Sequence, residues 1–551
     1  MSSFPALGYL SPWTVLPVII LLFLRRPLLD FAGFVAQPFT SGFRHVPGPK
    51  SDNFLWGHIK LFVDTHGGKL QEEWIQTYGK VFAYRTFFGG YRLCTSDTRA
   101  TTHILGNFSG YCRPSGHRMA LGRILGEGLA FAEGDTHRRQ NPSFSLAQIR
   151  MLTPMFFEKS DELRDILLSQ IDSATAEVSG KKIDMFLWLS RVTLDIIGLA
   201  GFDYPFNALS QTGEENALSA AFTAAFDTMN STALSMVRLW MPALRFLIPD
   251  KSKRWKRMKE GHVAMDRIGK EIVEDKKLAL AGVSGGKDGG LTRSSIKGRD
   301  ILSNIIKANM AVDAPESQKL TDDEVQAQIS TFMVSGHETI SASTAWTLLE
   351  LASHPRVQAK LRDELRSVSS ATPTMDELIA LPYLDFVIRE ALRLRAVVHG
   401  IVRVATQKDV VPTAEPWTDK YGVKRNEIVI NKGDTVVVSL LSMNLSRSIW
   451  GEDALEFKPE RWASPPPRAS EIPGIHSNIA TFSAGPRACI GYKIAIVEMK
   501  VLLFTLIRAF AFETIPGLEI RGKSSIVNRP FVASEPGKGY QLPLSVKPVR
   551  D

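Results

Sequence analysis

One short stretch near the carboxyl end combines residue types that could do chemistry at a single sulfur atom. Residues 481–491, with the sequence TFSAGPRACIG, contain Cys489, one of three cysteines in the 551-residue chain. Gly485 and Gly491 allow backbone turns that a side chain would block. Arg487 places a permanent cation near the sulfur, which favours the thiolate form.

Cys489 has three ordinary interpretations: one half of a disulfide, a zinc ligand and a buried inert thiol. A disulfide needs a partner, and the other cysteines, Cys94 and Cys112, make the count odd. So few cysteines in so long a chain are typical of a reducing compartment. Zinc takes grouped Cys and His ligands, and residues 481–500 hold no second one. A buried inert thiol is the expectation for Cys94 and Cys112, but it does not explain the glycines, proline and arginine around Cys489. Two roles for Cys489 therefore remain: a catalytic nucleophile and a single axial ligand to iron.

Composition indicates a globular protein, because 22% of residues are charged and 44% are hydrophobic. The length suffices for one large core or two to three domains. A net charge of +9 suits an anionic membrane surface, an acidic protein partner or nucleic acid. The densest basic run, KSKRWKRMK at residues 251–259, is not accompanied by a nucleic-acid-binding signature. No nucleic-acid partner is therefore expected.

The amino-terminal residues predict a membrane anchor. Residues 7–24 carry no charge and precede Arg25 and Arg26, and a bilayer span takes about 20 apolar residues. A cleaved signal peptide would have positive charge before its apolar core, which is lacking. Positive charge after the span places the rest of the chain in the cytoplasm. We expect an anchor at residues 1–26, an interfacial segment and Pro/Gly hinge at 27–50, and a catalytic domain at 51–551.

The periodicity of apolar residues predicts a mainly α-helical protein with small β-sheets. Short strands are expected within residues 81–96, and a strand-rich stretch at 400–439. Residues 281–293 are rich in glycine and predict a surface loop. The expected helices are residues 186–202, 321–353, 375–395 and 492–510.

The predicted helix at 321–353 contains polar residues that a plain buried helix would not need. Gly336 sits in its middle, where glycine costs about 1 kcal/mol relative to alanine. Glu338 and Thr339 interrupt an otherwise apolar pattern. The structural alternative is a kinked helix with a satisfied threonine hydroxyl.

Three further stretches carry charged groups that could act together. Glu390 and Arg393 lie one helical turn apart, as an ordinary surface pair also would. Arg461 lies in the loop EFKPERW, which could equally be a surface turn. In GDTHRRQNPSFS, His137 precedes two arginines, the second being Arg139, and this basic patch could hold a carboxylate.

Taken together, these stretches resemble the cytochrome P-450 enzymes of the microsomal, fungal type over essentially the whole chain. Residues 335–339, Ser-Gly-His-Glu-Thr, look like the family's oxygen-activating helix segment. Glu390 and Arg393 with Arg461 resemble its Glu-Arg-Arg triad. The heme-binding loop of the family is matched at five positions: Phe482, Gly485, Arg487, Cys489 and Gly491.

The resemblance implies heme b as the cofactor, with Cys489 as the thiolate ligand that pushes electron density toward dioxygen. It implies that Phe482 packs near the sulfur and that Gly485 and Gly491 let the backbone approach the porphyrin. The heme propionates would be bound by Arg487, Arg403, His137 and Arg139. Related fungal enzymes carry an arginine four residues after this histidine, where the chain has Asn141.

On the distal side, the resemblance implies that Gly336 opens the helix for dioxygen, Thr339 hydrogen-bonds it and Glu338 relays protons. Glu390 and the two triad arginines would be structural. Residues 329, 332–334, 397, 398, 401 and 402 are apolar and would line the substrate cavity, and residues 220–248 would form its entry at the membrane.

The expected function is therefore that of an NADPH- and O2-dependent monooxygenase acting on a lipophilic small molecule in a fungal pathway. The first expected substrate is a terpenoid or other secondary metabolite, and the second is a fatty acid or xenobiotic. Electrons would come from a flavoprotein reductase in the endoplasmic reticulum membrane, with cytochrome b5 as a further partner, because the chain has no flavin or nicotinamide fingerprint. Two alternatives stay open: a heme-thiolate isomerase or dehydratase, and a non-catalytic membrane-bound heme or ligand binder.

Overall fold

The computed structural model describes residues 35–51, 53–64, 69–140, 145–171, 180–210, 253–284, 300–310, 319–524 and 526–549, with residues 25, 32, 33 and 315 as isolated positions. The core of the predicted anchor, residues 7–24, lies outside the described residues. So do the substrate-entry segment at 220–248 and most of the glycine-rich loop.

Helices make up most of the described chain. They are α1 (Ile59–Asp64), α2 (Lys69–Tyr78), α3 (Thr98–Gly106), α4 (Ser115–Leu125), α5 (Gly134–Gln140), α6 (Leu146–Ile171), α7 (Met185–Phe202), α8 (Lys253–Ser284), α9 (Ile301–Met310), α10 (Asp322–Ser353), α11 (Pro355–Ser367), α12 (Met375–Ile379), α13 (Pro382–Leu394), α14 (Leu440–Asn444), α15 (Arg447–Trp450) and α16 (Tyr492–Ala509). This content confirms the predicted mainly α-helical class.

The strands form small sheets at the edges of the helical body. They are β1 (Val81–Arg85), β2 (Tyr91–Thr95), β3 (Tyr111–Cys112), β4 (Lys181–Asp184), β5 (Gly400–Ala405), β6 (Asp409–Thr418), β7 (Lys424–Ile430), β8 (Thr435–Ser439), β9 (Phe510–Glu513), β10 (Ile520–Ser524), β11 (Asn528–Val532) and β12 (Pro543–Pro548). The largest sheet has the order β1-β2-β8-β5-β3, and the smaller ones are β4-β12-β9, β6-β7 and β10-β11. The predicted strands at 81–96 and 400–439 are thereby confirmed.

Helix α10 runs through the centre of the molecule and starts at a capping box. The Thr321 hydroxyl accepts a hydrogen bond from the Glu324 backbone N–H, and the Glu324 carboxylate accepts one from the Thr321 N–H. Most of the helix is buried, and α7 packs along it. The start and end predicted for this helix are correct to within one residue.

The predicted helix at 375–395 is in fact two helices, so that prediction was wrong. Helix α12 ends at Ile379 and α13 begins at Pro382. Proline has no N–H to donate and clashes with the preceding turn, so it fits the first turn of a helix but not its interior. The predicted loop at 281–293 also begins too early, because α8 continues to Ser284.

Among the described residues, only α7 (Met185–Phe202) is long and apolar enough to cross a membrane. Of its length, 78% is buried inside the protein. It packs against α10 and α6, so its apolar composition is explained by the core of the domain.

Candidate active site

The loop that carries Cys489 is shaped by its own backbone. It contains two short 3-10 turns, at Ala480–Phe482 and Gly485–Arg487, and it leads directly into α16. The Cys489 N–H donates to the Phe482 carbonyl oxygen across 2.9 Å. This bond joins Phe482 and Cys489, two of the five positions predicted to match the heme-binding loop, and so closes the loop between them.

Of the two glycines predicted to shape the loop, Gly485 has a clear steric reason. Its φ is +70°, in the left-handed region, and a Cβ there would lie 2.3 Å from the Leu105 carbonyl oxygen of α3. A Cβ on Gly491 would contact only the Ile494 side chain at 3.7 Å. Contacts within the protein therefore require a glycine at position 485, and they do not explain the one at 491.

The Cys489 thiol is free and accessible, whereas the Cys94 thiol is free and buried. Protein atoms nevertheless crowd Cys489, and this burial raises its pKa. A hydrogen bond from the Gly491 backbone N–H opposes that rise. A sulfur that accepts a backbone N–H and remains open on one side suits a metal-ligand role.

Arg487 lies at the centre of a buried basic cluster, which we define as Arg113, Arg403, Arg487 and His137. Its guanidinium donates to the backbone carbonyl oxygens of Tyr111, at 2.9 Å, and Phe108, at 3.1 Å. It also pairs with the Glu133 carboxylate.

The other members of the basic cluster surround the same carboxylate. Arg113 donates from its backbone N–H to Glu133 Oε1 at 3.0 Å. Burial first, and the neighbouring Arg113 and Arg487 next, lower the pKa of Arg403 to about 9 and that of His137 to about 4. Arg113 and Arg487 thus pair with one carboxylate, whereas Arg403 and His137 have only a longer-range interaction with it. The excess of positive charge over this carboxylate is suited to bind anionic groups.

Arg139 lies outside the basic cluster. Its guanidinium pairs with Glu324, the capping residue at the start of α10. Arg138 donates to Asp135 on the surface. The heme-binding role of Arg139 stays a prediction, and in the structure this residue ties α5 to α10.

The middle of α10 becomes accessible at the predicted oxygen-activating segment. Ser335 is exposed and Gly336 and Thr339 are half-buried, although the helix is buried on both sides of them. The Thr339 hydroxyl donates to the Ser335 carbonyl oxygen at 2.6 Å. A Cβ on Gly336 would come within 2.7 Å of the Ile197 side chain of α7, so close helix packing is a further reason for glycine there.

Glu338 is buried and faces an arginine that the sequence did not predict. The Nε atom of Arg529, on β11, lies 2.8 Å from Glu338 Oε2. Sequence reasoning also missed Arg113 and Glu133 in the basic cluster. No short spacing joins these residues, because Glu133 and its partner Arg487 are 354 positions apart.

The predicted triad is formed and buried, and Glu390 and Arg393 have no exposed surface. Glu390 accepts two hydrogen bonds from Arg393, at 2.8 and 2.9 Å, and one from Arg461 Nε at 2.8 Å. The Trp462 indole and the Lys458 N–H donate to the same carboxylate. A carboxylate with this many donors is well compensated for its burial.

The triad is connected to the cysteine loop by Asn444. Arg393 donates to the Asn444 carbonyl oxygen at 2.9 Å. The Asn444 side chain in turn accepts from the Ala480 N–H and donates to the Thr481 hydroxyl, each at 2.8 Å. The triad therefore supports the start of the loop that holds Cys489.

These residues fit an iron porphyrin bound by one thiolate and carrying two propionates. Cys489 can supply the sulfur ligand, and the basic cluster supplies cations for the propionates. Ile490, beside the sulfur, packs against the apolar cluster to which Phe332 and Met333 of α10 belong. The fold and these residues define a heme-thiolate oxidoreductase.

Comparison with known proteins agrees with that class. The family model described as Cytochrome P450 matches residues 47–530. Cytochrome P450 monooxygenases 205 and 128 of Postia placenta are 43% and 44% identical, and each alignment covers 93% of the chain and 94% or 93% of the relative. Cytochrome P450 monooxygenase claW of Ampulloclitocybe clavipes is 31% identical over 98% of the chain and 99% of its own length. The chain belongs to the cytochrome P450 family and is an oxidoreductase of the monooxygenase type.

The basic cluster leads to a first prediction. Replacing Arg487 by glutamine is expected to speed heme loss about ten- to a hundredfold, because a hydrogen bond to a charged group contributes about 1.5–3 kcal/mol. Heme transfer to an apoprotein acceptor, followed by absorbance, measures the rate. Arg138→Gln is the matched control, because Arg138 also lies over the Phe108 ring but is exposed. Equal rates in the two variants would contradict the assignment of Arg487.

Proposed function

We propose that this chain uses NADPH, through a flavoprotein reductase, and dioxygen to oxidise a lipophilic small molecule, foremost a terpenoid or other specialised metabolite. The proposal rests on one observation above all. The accessible thiol of Cys489 is followed by Ile490, which packs against the apolar cluster that includes Phe332 and Met333 of α10. The same helix is exposed at Ser335 and half-buried at Thr339. A thiolate-held heme between such elements is suited to activate dioxygen beside an apolar substrate.

The side chains near the distal helix favour a neutral, apolar substrate. Val398, Ile401 and Val402 follow α13 and are half-buried, so they can contact a ligand. By contrast, the four apolar residues at 329 and 332–334 are buried in the core, and they contribute packing. Arg529, a buried arginine of the β10-β11 hairpin, is paired with Glu338. Because that charge is already compensated, a fatty-acid carboxylate is disfavoured.

Each residue of the site then has a defined task. Bound heme would supply the electron-transfer chemistry for dioxygen activation, with Cys489 as its thiolate donor. The basic cluster would orient the heme through its propionates, and the Gly491 N–H would stabilise the sulfur. The Thr339 hydroxyl can hold a proton at the accessible part of α10, and Glu338 can supply protons to this part of the site.

The proposed location is the endoplasmic reticulum membrane, with the catalytic domain in the cytoplasm. Large apolar side chains are exposed in the first described part of the chain: Val35, Phe39, Phe54, Leu55 and Leu61 are 40–69% exposed. Apolar side chains clustered in one part of the chain favour contact with lipid. The net charge of +9 is complementary to the acidic docking surface expected of a reductase.

The proposal is tested by expressing the full chain beside a fungal reductase and profiling metabolites with and without NADPH. We expect NADPH-dependent conversion of an apolar compound. In Thr339→Ala, NADPH oxidation should continue while product falls and hydrogen peroxide rises, because proton delivery is impaired. Thr347→Ala is the matched control: its hydroxyl donates to the Ser343 carbonyl in the same way but is buried.

The outcomes separate the alternatives. Conversion that proceeds without NADPH would indicate a heme-thiolate isomerase or dehydratase. A protein that shows the thiolate signature with carbon monoxide but converts nothing would be a heme or ligand binder. A product profile dominated by hydroxylated fatty acids would replace the terpenoid proposal by the second choice of substrate.

A further inference from the structure

The ion pair between Glu338 and Arg529 joins the middle of α10 to a hairpin near the carboxyl end. Arg529 Nε lies 2.8 Å from Glu338 Oε2, and the two side chains are only 1% and 4% exposed. Removing both charges from water is costly, and their mutual attraction in the protein interior offsets part of that cost. Glu338 is also one of the residues proposed to deliver protons.

Arg529 is held in place by its surroundings. The Asn528 carbonyl oxygen accepts a hydrogen bond from the Trp346 indole of α10 at 2.9 Å, and the Asn528 N–H donates to the Val397 carbonyl oxygen at 2.7 Å. The guanidinium carbon of Arg529 lies 4.6 Å from the centre of the Tyr540 ring. The β10-β11 hairpin is therefore anchored to α10, and its arginine is not free to swing toward solvent.

The other charged or titratable neighbour of Glu338 on α10 is His337. Burial lowers the pKa of His337, and its Nε2 lies 2.7 Å from the Ser190 hydroxyl of α7. A neutral histidine that is hydrogen-bonded to Ser190 does not balance the negative charge of the Glu338 carboxylate. Arg529 is thus the cation that balances Glu338 among the described residues.

We propose that Arg529 is a positioning residue for proton delivery: it binds one carboxylate oxygen of Glu338, balances its charge in a buried position and fixes its orientation on α10, one residue before Thr339. The inference rests on the proposed role of Glu338. Without the arginine, the buried carboxylate is expected to take up a proton, because burial penalises its charged form. Protonation removes the oriented carboxylate from the proton path.

The test uses heme-loaded protein with a reductase and no added substrate, and it measures hydrogen peroxide released per NADPH oxidised. Peroxide release leaves the O–O bond intact and takes fewer protons than reduction to water, so poor proton delivery raises its share. We expect Glu338→Gln and Arg529→Gln to raise the share several-fold. The double variant should match Glu338→Gln alone, because the arginine acts through the glutamate.

A second readout does not depend on turnover. Infrared spectra of Arg529→Gln should show a protonated carboxyl band that disappears when Glu338→Gln is added. Arg521→Gln is the matched control, because Arg521 lies in the same hairpin and pairs with exposed Glu519. It should leave both the peroxide share and the spectrum unchanged.

Failure of the inference differs from failure of the proposed function. If Glu338→Gln raises the peroxide share and Arg529→Gln does not, the role of Arg529 is refuted while the relay role stands. An additive double variant, or no new carboxyl band, refutes it too. If Glu338→Gln has no effect, the relay role itself is refuted. If Arg529→Gln retains no heme, the peroxide share is measured in Arg529→Lys instead. A share between those of the wild type and Glu338→Gln supports positioning by the guanidinium. A share equal to that of the wild type overturns it.

Discussion

Cys489→Ser is expected to abolish turnover and the far-shifted Soret band of the reduced carbon monoxide complex. A serine hydroxyl is a much poorer ligand for iron than a thiolate, and it supplies none of the electron density that favours O–O cleavage. The Gly491 N–H, which contacts the sulfur, would then face a neutral hydroxyl. The difference spectrum of the reduced protein, together with product formation beside a reductase, measures the effect.

The matched control for that substitution is Cys94→Ala. Cys94 is also free, but it is buried in β2, and burial raises its pKa to about 12. Such a thiol stays protonated and inert, so its loss should leave the carbon monoxide spectrum unchanged. A Cys489→Ser protein that kept the wild-type spectrum and full turnover would overturn the assignment of the heme ligand.

The parts of the site that sequence predicted are those fixed by local geometry. The cysteine loop is a run of turns whose residue types follow from backbone conformation, as Gly485 shows. Glu390 and Arg393 share a helix face because they lie one turn apart. Such relations depend on spacing along the chain, so they can be read before the fold is known.

The missed residues meet only through the tertiary fold. Arg529 reaches Glu338 because β11 packs against α10, and no spacing in the sequence encodes that contact. Glu133 is similar, since it approaches Arg487 only when α5 and the cysteine loop come together. Both appear in the sequence as ordinary charged residues. Burial is what makes them informative, because a charge without water needs a partner.

The break between α12 and α13 was missed although a residue in the segment itself, Pro382, indicates it. The apolar periodicity continues through residues 375–395 and predicts one helix, whereas Pro382 marks where a new helix starts. Pro382 outweighs the apolar periodicity, because proline fits the first turn of a helix but not its interior. The Asn444 link between triad and cysteine loop was not predictable in this way, because it depends on where α14 lies.

Glu390→Gln is expected to lower the free energy of unfolding by about 3–5 kcal/mol, the cost of breaking a buried ion pair by removing one partner. Oε1 accepts from Arg393, Arg461 and the Lys458 N–H. Oε2 accepts from Arg393 and the Trp462 indole. Whichever way the glutamine amide is turned, its NH2 group therefore faces two donors or more, and two buried arginines lose their counter-ion.

The loss should extend to heme binding, because Arg393 and Asn444 connect the triad to the start of the cysteine loop. Denaturant unfolding of the heme-loaded protein and heme content per chain measure the two effects. Glu519→Gln is the matched control: it removes the same charge from a pair, with Arg521, whose side chains are 63% and 52% exposed. Because water compensates exposed charges, that variant should unfold like the wild type. If both glutamine variants unfold at the same denaturant concentration, the triad does not stabilise the fold in the way that its burial predicts.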